Sequence, residues 1–150
     1  MKIAVGMSGG VDSSVAAYLL QRRCHEVVGV TMRIWPGPAD PPGRDEETHA
    51  APSRHACYGP GEEEEERQAA EVCENLGIPH KVFDISAAYE KTILDYFKRS
   101  YLNGKTPNPC VLCNCKMKFG ILYSLAARNF GVDAFATGHY ARTEFSPARR

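Results

Sequence analysis

Short continuous apolar runs alternate along this chain with longer stretches in which apolar residues return every three to four positions. The first kind fits a buried parallel strand and the second an amphipathic helix. Lys2 to Gly6 is the first short run, and Val11 or Asp12 to about Arg22 the first helix, with Val15, Ala16, Leu19 and Leu20 as its apolar face. Val27 to Met32 reads as a second strand. Glu62 to Leu76 reads as a helix with Ala69, Val72, Cys73 and Leu76 on one face and Gly77 closing it. Its five glutamates suit the positive end of the helix dipole. His80 to Ile85 is the third strand. Ala87 to about Leu102 is a helix with Tyr89, Ile93, Tyr96 and Phe97 at helical spacing, stopped by Gly104. Asn114 caps a further helix over about Cys115 to Phe130, with Met117, Ile121, Leu122 and Leu125 inward, and Asp133 to Thr137 is the fourth strand. Tyr140 to Phe145 begins a fifth.

Alternating strands and helices predict a doubly wound parallel α/β sheet, one domain over residues 1–145. Ligands in such sheets bind beyond the carboxyl ends of the strands. The loop after the first strand, Met32 after the second and Gly138-His139 after the fourth all fall there. Residues 36–61 break the rhythm. They carry six prolines and no period, which marks a long loop.

Composition alters this picture little. The hydrophobic set is 43% and charged residues 24%, an ordinary globular balance. No continuous apolar run reaches the roughly 18 residues that span a membrane, and no signal-peptide pattern opens the chain, so a cytoplasmic protein without a membrane partner is expected. The formal net charge is zero, but its distribution is uneven. Nine acidic and two basic residues lie between Asp40 and Glu66, and seven basic and one acidic between Lys91 and Arg128. A basic half can hold a phosphate backbone even in a neutral protein.

Two stretches carry chemistry. Gly6-Met7-Ser8-Gly9-Gly10-Val11-Asp12-Ser13-Ser14 is a strand, a glycine-rich turn and a helix start. Adjacent glycines let backbone approach a ligand, and a helix N-terminus favours anions. The stretch lacks both the Gly-Lys-Ser/Thr ending of a Walker A loop and the spacing of a dinucleotide fingerprint. The second is Thr106-Pro107-Asn108-Pro109-Cys110, followed by Cys113, Cys115 and Lys118-Phe119. Cysteines at a helix start, with Lys116 and Lys118 near, favour thiolate. Without a secretory signal, the six cysteines read as thiols, ligands or nucleophiles. Cys73 reads as core and Cys24 as a surface thiol.

The first stretch resembles the S-G-G-x-D-S loop of the PP-loop ATP pyrophosphatases, whose fold is Rossmann-like. With T-P-N-P-C-x-x-C-N and A-T-G-H-Y-A-R in the same order, the chain is similar to the tRNA-specific 2-thiouridylases from Lys2 to Arg142. That resemblance implies adenylation of the 2-oxygen of the wobble uridine by ATP with Mg²⁺, then sulfur delivery from a cysteine persulfide charged by a donor protein. It implies ATP binding by Gly6, Met7, Ser8, Gly9, Gly10, Val11, Asp12, Ser13, Met32 and Gly138. It implies that Asn108, Pro109 and Cys110 face the target base, that Cys113 is the nucleophile, and that His139 touches tRNA. Many family members carry Asp where Cys110 stands. A disulfide bond goes with the resemblance. A Cys-x-x-Cys pair is also open to an iron–sulfur cluster, with Cys57 or Cys115 as a third ligand beside Cys110 and Cys113. The family's chains are longer, adding a tRNA-binding domain, a β-barrel and a second catalytic cysteine. Residues 146–150 therefore read as a truncated tail, and the chain as a fragment that keeps ATP binding. Another PP-loop adenylating enzyme, or a catalytically silent nucleotide- or metal-binding module, is the alternative.

Overall fold

A computed structural model describes residues 1–37, 58–59 and 61–142. Four parallel strands, β1 (Lys2–Gly6), β2 (Glu26–Arg33), β3 (His80–Asp84) and β4 (Ala134–Thr137), lie in the order β3-β2-β1-β4. The sheet grows outward from β1 in both directions, β2 then β3 on one side and β4 on the other. The reversal falls between β1 and β4, where loops leaving the two strands diverge and open a crevice.

Side chains along a strand alternate between faces, so each strand feeds two cores. Val5 and Val27 face α1 (Val11–Arg22) and α2 (Glu62–Leu76), packing with Ala17, Ala69 and Cys73. Ala4, Val28, Val30 and Phe83 face the other way, onto the helices between β3 and β4. Those helices are α3 (Ser86–Tyr89) and α4 (Asp95–Leu102), joined by a π turn at Glu90–Leu94, then α5 (Pro109–Cys113) and α6 (Tyr123–Phe130), joined by a π segment at Asn114–Leu122. The doubly wound parallel arrangement predicted from the pattern is present. Residues 143–145 and most of the proline-rich stretch lie outside the described residues. Tyr140–Arg142 are not strand.

The helix starting near Cys115 in the sequence reading begins six residues earlier. Asn108 is its N-cap, the side-chain oxygen accepting from the Val111 amide at 3.3 Å, and Pro109 takes the first helical position. Proline there sacrifices an amide that has no intrahelical partner and presets φ. Asn114 thus lies inside the helical run. The buried residues of that run are Cys113, Met117, Leu122 and Ala126. The five-residue step from Met117 to Leu122 falls within the π segment, whose i→i+5 bonds widen the turn. By length and composition alone, the 22 residues Pro109–Phe130 are long and apolar enough to cross a membrane, although they hold no unbroken apolar run of that length. Lys116, Lys118 and Arg128 interrupt it.

Two predicted faces also differ. Ser13 and Ala17 are the buried residues of α1, whereas Val15 and Leu19 stand exposed. Small side chains let α1 approach the sheet closely and turn the larger ones outward. On α4, Tyr96 and Phe97 are exposed, while Tyr89 and Ile93 just before it are core.

Candidate nucleotide-binding site

A cavity of 280 Å³ opens at the carboxyl ends of β1, β2 and β4. Gly6, Met7, Ser8, Asp12 and Ser13 line it from the first loop, Met32 from the end of β2, and Gly138 and His139 from the end of β4. Gly9, Gly10 and Val11 belong to the same loop without lining the cavity. The π segment adds Lys118 and Leu122. The lining of the cavity combines apolar side chains, Val30, Met32, Ile34, Leu122 and Phe135, with polar ones that include Ser8, Asp12 and His139. Apolar walls with a few placed polar groups are what a nucleotide's flat base and charged tail require.

The loop's shape comes from its own hydroxyls. Ser13 is 4% exposed. Its hydroxyl donates to the Gly10 carbonyl at 3.0 Å and accepts from the Ser8 amide at 3.3 Å. Ser14 also donates to Gly10 O at 2.8 Å. Gly10 is the N-cap of α1 and makes no side-chain cap bond, so the helix start faces the cavity mouth as a place for negative charge.

Two glycines are fixed by neighbouring backbone. Gly9 has φ +74°, and a Cβ there would meet the Glu65 carbonyl and Gln68 Cβ at 2.9 Å. Bulk at Gly9 would therefore press first on α2. A Cβ on Gly138 would lie 2.6 Å from the Ser13 amide nitrogen and 2.7 Å from the Asp12 carbonyl carbon. Gly138 is what allows the end of β4 to rest on the first turn of α1.

The carboxylates hold the least expected result. The run Glu62–Glu66 does more than complement a dipole. Glu62 is buried and accepts from the Ile34 and Trp35 amides, both at 2.8 Å, tying the chain leaving β2 to α2. Glu66, also buried, receives two bonds from the Arg33 guanidinium, one from Nε at 2.8 Å. That partnership raises the Arg33 pKa above its ordinary value, first through the hydrogen bond and then through the charge. Burial raises the carboxyl pKa of both Glu62 and Glu65, the Glu62 amide bonds opposing it. Glu62, Glu65 and Glu66 line the cavity with Asp12, against one lysine, Lys118. Nothing in an unbroken acidic run distinguishes these inward members. Lys118 had a signal, since it stands in the cysteine motif, but its place at the cavity is tertiary.

This donor set suits a polyphosphate carried with a divalent cation. Asp12 and Glu65 offer hard carboxylate oxygens on the two sides of the loop. Mg²⁺ typically takes one or two carboxylates plus phosphate and water, so a site for it need not be a closed protein cage. Among the described residues no three His, Cys, Asp or Glu side chains converge to hold an ion. At present Asp12 Oδ1 accepts from the Tyr140 hydroxyl at 2.8 Å. His139 Nδ1 and Thr137 Oγ1 are hydrogen-bonded at 2.7 Å, which holds the imidazole beside the mouth.

Asn108, Pro109, Cys110 and Cys113 do not line the cavity, although Lys118 and Leu122 of the same helical run do. Cys110, in the first turn of α5, is exposed. Cys113 is 9% exposed and packs in the core with Tyr89, Ile93 and Met117. A helix start exposed to solvent thus describes Cys110 better than Cys113. Among the described residues, Cys110, Cys113 and Cys115 do not converge on a metal or cluster site. Cys57 lies outside the described residues. No disulfide joins two described cysteines. Cys73 is buried, its thiol pushed up to about 11 by desolvation, in keeping with a core role.

Known proteins match along the whole chain. A model of the tRNA methyl transferase HUP domain matches residues 1–150. A tRNA-specific 2-thiouridylase of Pelobacter propionicus is 46% identical over 147 residues, covering 98% of this chain and 36% of its own. One from Thermoanaerobacter sp. is 44% identical over 144 residues, covering 96% and 36%. One from Clostridioides difficile is 41% identical over 143 residues, covering 95% and 36%. The chain thus spans about a third of the length of these relatives. In fold it is similar to a crystal structure described as a predicted tRNA methyltransferase subunit from Methanocaldococcus jannaschii, with TM-score 0.54 and 17% identity over 98% of this chain and 58% of that one. The strand order, the loop between β1 and α1 and the match over all 150 residues agree: the chain belongs to the tRNA methyl transferase HUP domain family.

Proposed function

We propose that this chain is the nucleotide-binding part of an enzyme that 2-thiolates the wobble uridine of tRNA. The observation that carries the reading is the cavity between β1 and β4, in a chain 41–46% identical to proteins named tRNA-specific 2-thiouridylases. ATP lies with its base against Met32, Ile34 and Phe135 and its phosphates towards the first loop. Met7, Ser8 and the backbone of Gly9 and Gly10 shape that end, and Ser13 keeps the loop closed from within. Asp12 and Glu65 would hold Mg²⁺, which when bound would share the charge of the departing pyrophosphate. Asp12 would give up its hydrogen bond from Tyr140 to hold the ion. His139 and Lys118 stand at the mouth, where the uridine oxygen must approach the α-phosphate. That oxygen displaces pyrophosphate, the terminal sulfur of a cysteine persulfide then attacks C2 and displaces AMP, and a second cysteine thiolate attacks the inner persulfide sulfur, so that the S–S bond to the base breaks, the thiocarbonyl is released and a disulfide remains on the enzyme.

Asn108, Pro109 and Cys110 present the target base. Cys113 is the nucleophile, a donor protein supplies the persulfide sulfur, and the burial of Cys113 means that the start of α5 must open before it reacts. The reaction belongs to the cytoplasm and involves no membrane. In a test by titration calorimetry with ATP and Mg²⁺, Asp12→Ala weakens nucleotide binding at least tenfold, about the worth of one charge-assisted contact. Unchanged affinity would remove Asp12 from the site. Absence of ATP binding by the unaltered chain would sink the reading.

A further inference from the structure

Ser13, Thr31, Glu62 and Glu66 are the polar side chains buried among the described residues. Three of them have a task, closing the first loop, tying down the chain that leaves β2 and pairing with Arg33. Thr31 is the fourth. It is 7% exposed, lies on β2 and lines the nucleotide cavity. Its hydroxyl donates to the Met7 carbonyl at 3.0 Å. That uses its only proton, so it accepts from the His80 imidazole, whose Nε2 is 2.9 Å away. Burial lowers the His80 pKa, the Glu66 carboxylate opposing it, so the ring is neutral near pH 7 and Nε2 holds its one proton. An imidazolium would donate from the same nitrogen. Strand register makes the reach possible. His80 pairs with Gly29, two residues before Thr31 on the same face of β2. A Cβ on Gly29 would stand 3.3 Å from His80 Cδ2, so the bare glycine leaves the ring room to lie along β2.

The Met7 carbonyl and the Ser8 amide belong to one trans peptide and point in opposite directions. The Met7 amide donates to the Val30 carbonyl at 2.8 Å. With both polar groups of Met7 held by β2, the peptide plane is fixed where β1 becomes the loop. The Ser8 amide, on the other edge of that plane, then meets Ser13 Oγ. We propose that Thr31 and His80 are positioning residues for the nucleotide loop, His80 acting from β3 through Thr31 to lock the Met7–Ser8 peptide in the orientation that receives the phosphates. The inference rests on the nucleotide reading above and adds to it a residue outside the cavity, since His80 is not part of its lining. Without the Thr31 hydroxyl the carbonyl of buried Met7 loses this partner and the peptide swings between orientations. Only the competent fraction of the chain then binds.

The test is titration calorimetry of the 150-residue chain with ATP and Mg²⁺, each variant first shown to be folded by circular dichroism. Thr31→Val keeps the shape and removes the hydroxyl, and it weakens ATP binding about five- to tenfold, as a competent fraction of roughly 10–20% requires. Thr31→Ser restores the hydroxyl and binds within about twofold of the parent. His80→Leu weakens binding about threefold or more, and His80→Gln, whose amide nitrogen donates from a similar place, recovers most of that loss. Thr31→Val with His80→Leu binds ATP as Thr31→Val alone does, because the imidazole acts only through the hydroxyl. A general loss of structure would add in the double variant, and neither serine nor glutamine would recover it. Unchanged affinity in Thr31→Val, no recovery in Thr31→Ser or an additive double variant would overturn the inference. If Thr31→Val does not fold, His80→Leu and His80→Gln decide, and equal affinities in the two overturn it. Absence of ATP binding by the unaltered chain removes the nucleotide reading and this one with it, whereas parental binding with unaffected variants removes only the role of Thr31 and His80.

Discussion

Replacing Gly138 with alanine tests the β1/β4 crevice most directly. The added Cβ would stand 2.6 Å from the Ser13 amide nitrogen, about 0.8 Å short of ordinary contact, and 2.7 Å from the Asp12 carbonyl carbon. Both neighbours are backbone, so no side chain can rotate away. Gly138 is not among the glycines with positive φ, so the penalty is steric and carries no added dihedral strain. Relief requires β4 and the first turn of α1 to separate by most of that overlap. Overpacking of this kind costs about 1–3 kcal/mol. With a urea slope of about 2 kcal/mol/M, the unfolding midpoint falls by roughly 0.5–1.5 M. The same displacement moves Asp12 and Ser13 relative to the β4 side of the cavity. A shift of this size in a preorganised site costs up to about a hundredfold, so ATP affinity measured by calorimetry drops at least tenfold. Gly10→Ala is the internal comparison, since its Cβ would meet only Ser8 Oγ at 3.5 Å. It keeps stability within about 1 kcal/mol of the parent. If Gly138→Ala matches the parent in both midpoint and affinity, the close approach of β4 to α1 is wrong, and the geometry of the nucleotide site with it.

Arg33→Met leaves the buried Glu66 carboxylate without its two guanidinium bonds and lowers stability by about 1–3 kcal/mol in urea unfolding, while Arg33→Met with Glu66→Leu recovers part of the loss; an additive double variant would refute the pairing. Burial raises the Glu62 pKa, so the folded chain binds this proton more tightly than the unfolded one. Its contribution therefore falls as pH rises from the ordinary carboxyl value of 4.5 through the raised one, and levels off above it. Glu62→Gln abolishes that component of the pH slope, and its single acceptor oxygen leaves Ile34 or Trp35 without the present bond, costing about 1–3 kcal/mol at neutral pH; identical pH profiles would contradict the assignment. Under iodoacetamide near neutral pH, exposed Cys110 alkylates faster than Cys113 and Cys73, as followed by mass spectrometry, and the opposite order for Cys113 would mean that the start of α5 opens readily.

Elements whose boundaries are set by local chemistry were legible in the residues alone. Leu76 ends α2 because Gly77 takes φ +66° at no steric cost. Lys2–Gly6 forms a strand because its apolar run leads straight into a glycine turn. The place of the cavity also followed from pattern, since parallel strands put the first loop, Met32 and Gly138-His139 at one edge whatever their order. The start of α5 was readable too, because Asn108 before Pro109 is a cap followed by proline at the first helical position, but the competing role of proline as a breaker obscured it.

The sequence by itself therefore determined the alternation of strands and helices, the loop that lines the cavity and the kinship of the chain. Only tertiary structure decided which face of each helix is inward and which charges are buried. Periodicity marks an apolar stripe, but closeness of packing selects the buried side, and on α1 the small Ser13 and Ala17 displaced Val15 and Leu19. Five consecutive glutamates are equivalent as sequence, and the amides leaving β2 and the guanidinium of Arg33 single out Glu62 and Glu66. The cysteine motif and the nucleotide loop are each recognisable locally. Their separation, with Cys113 in the core and Asp12 at the cavity, depends on a helix 22 residues long laid across the sheet. Burial and pairing are properties of what lies opposite a residue in space, and no local pattern encodes them.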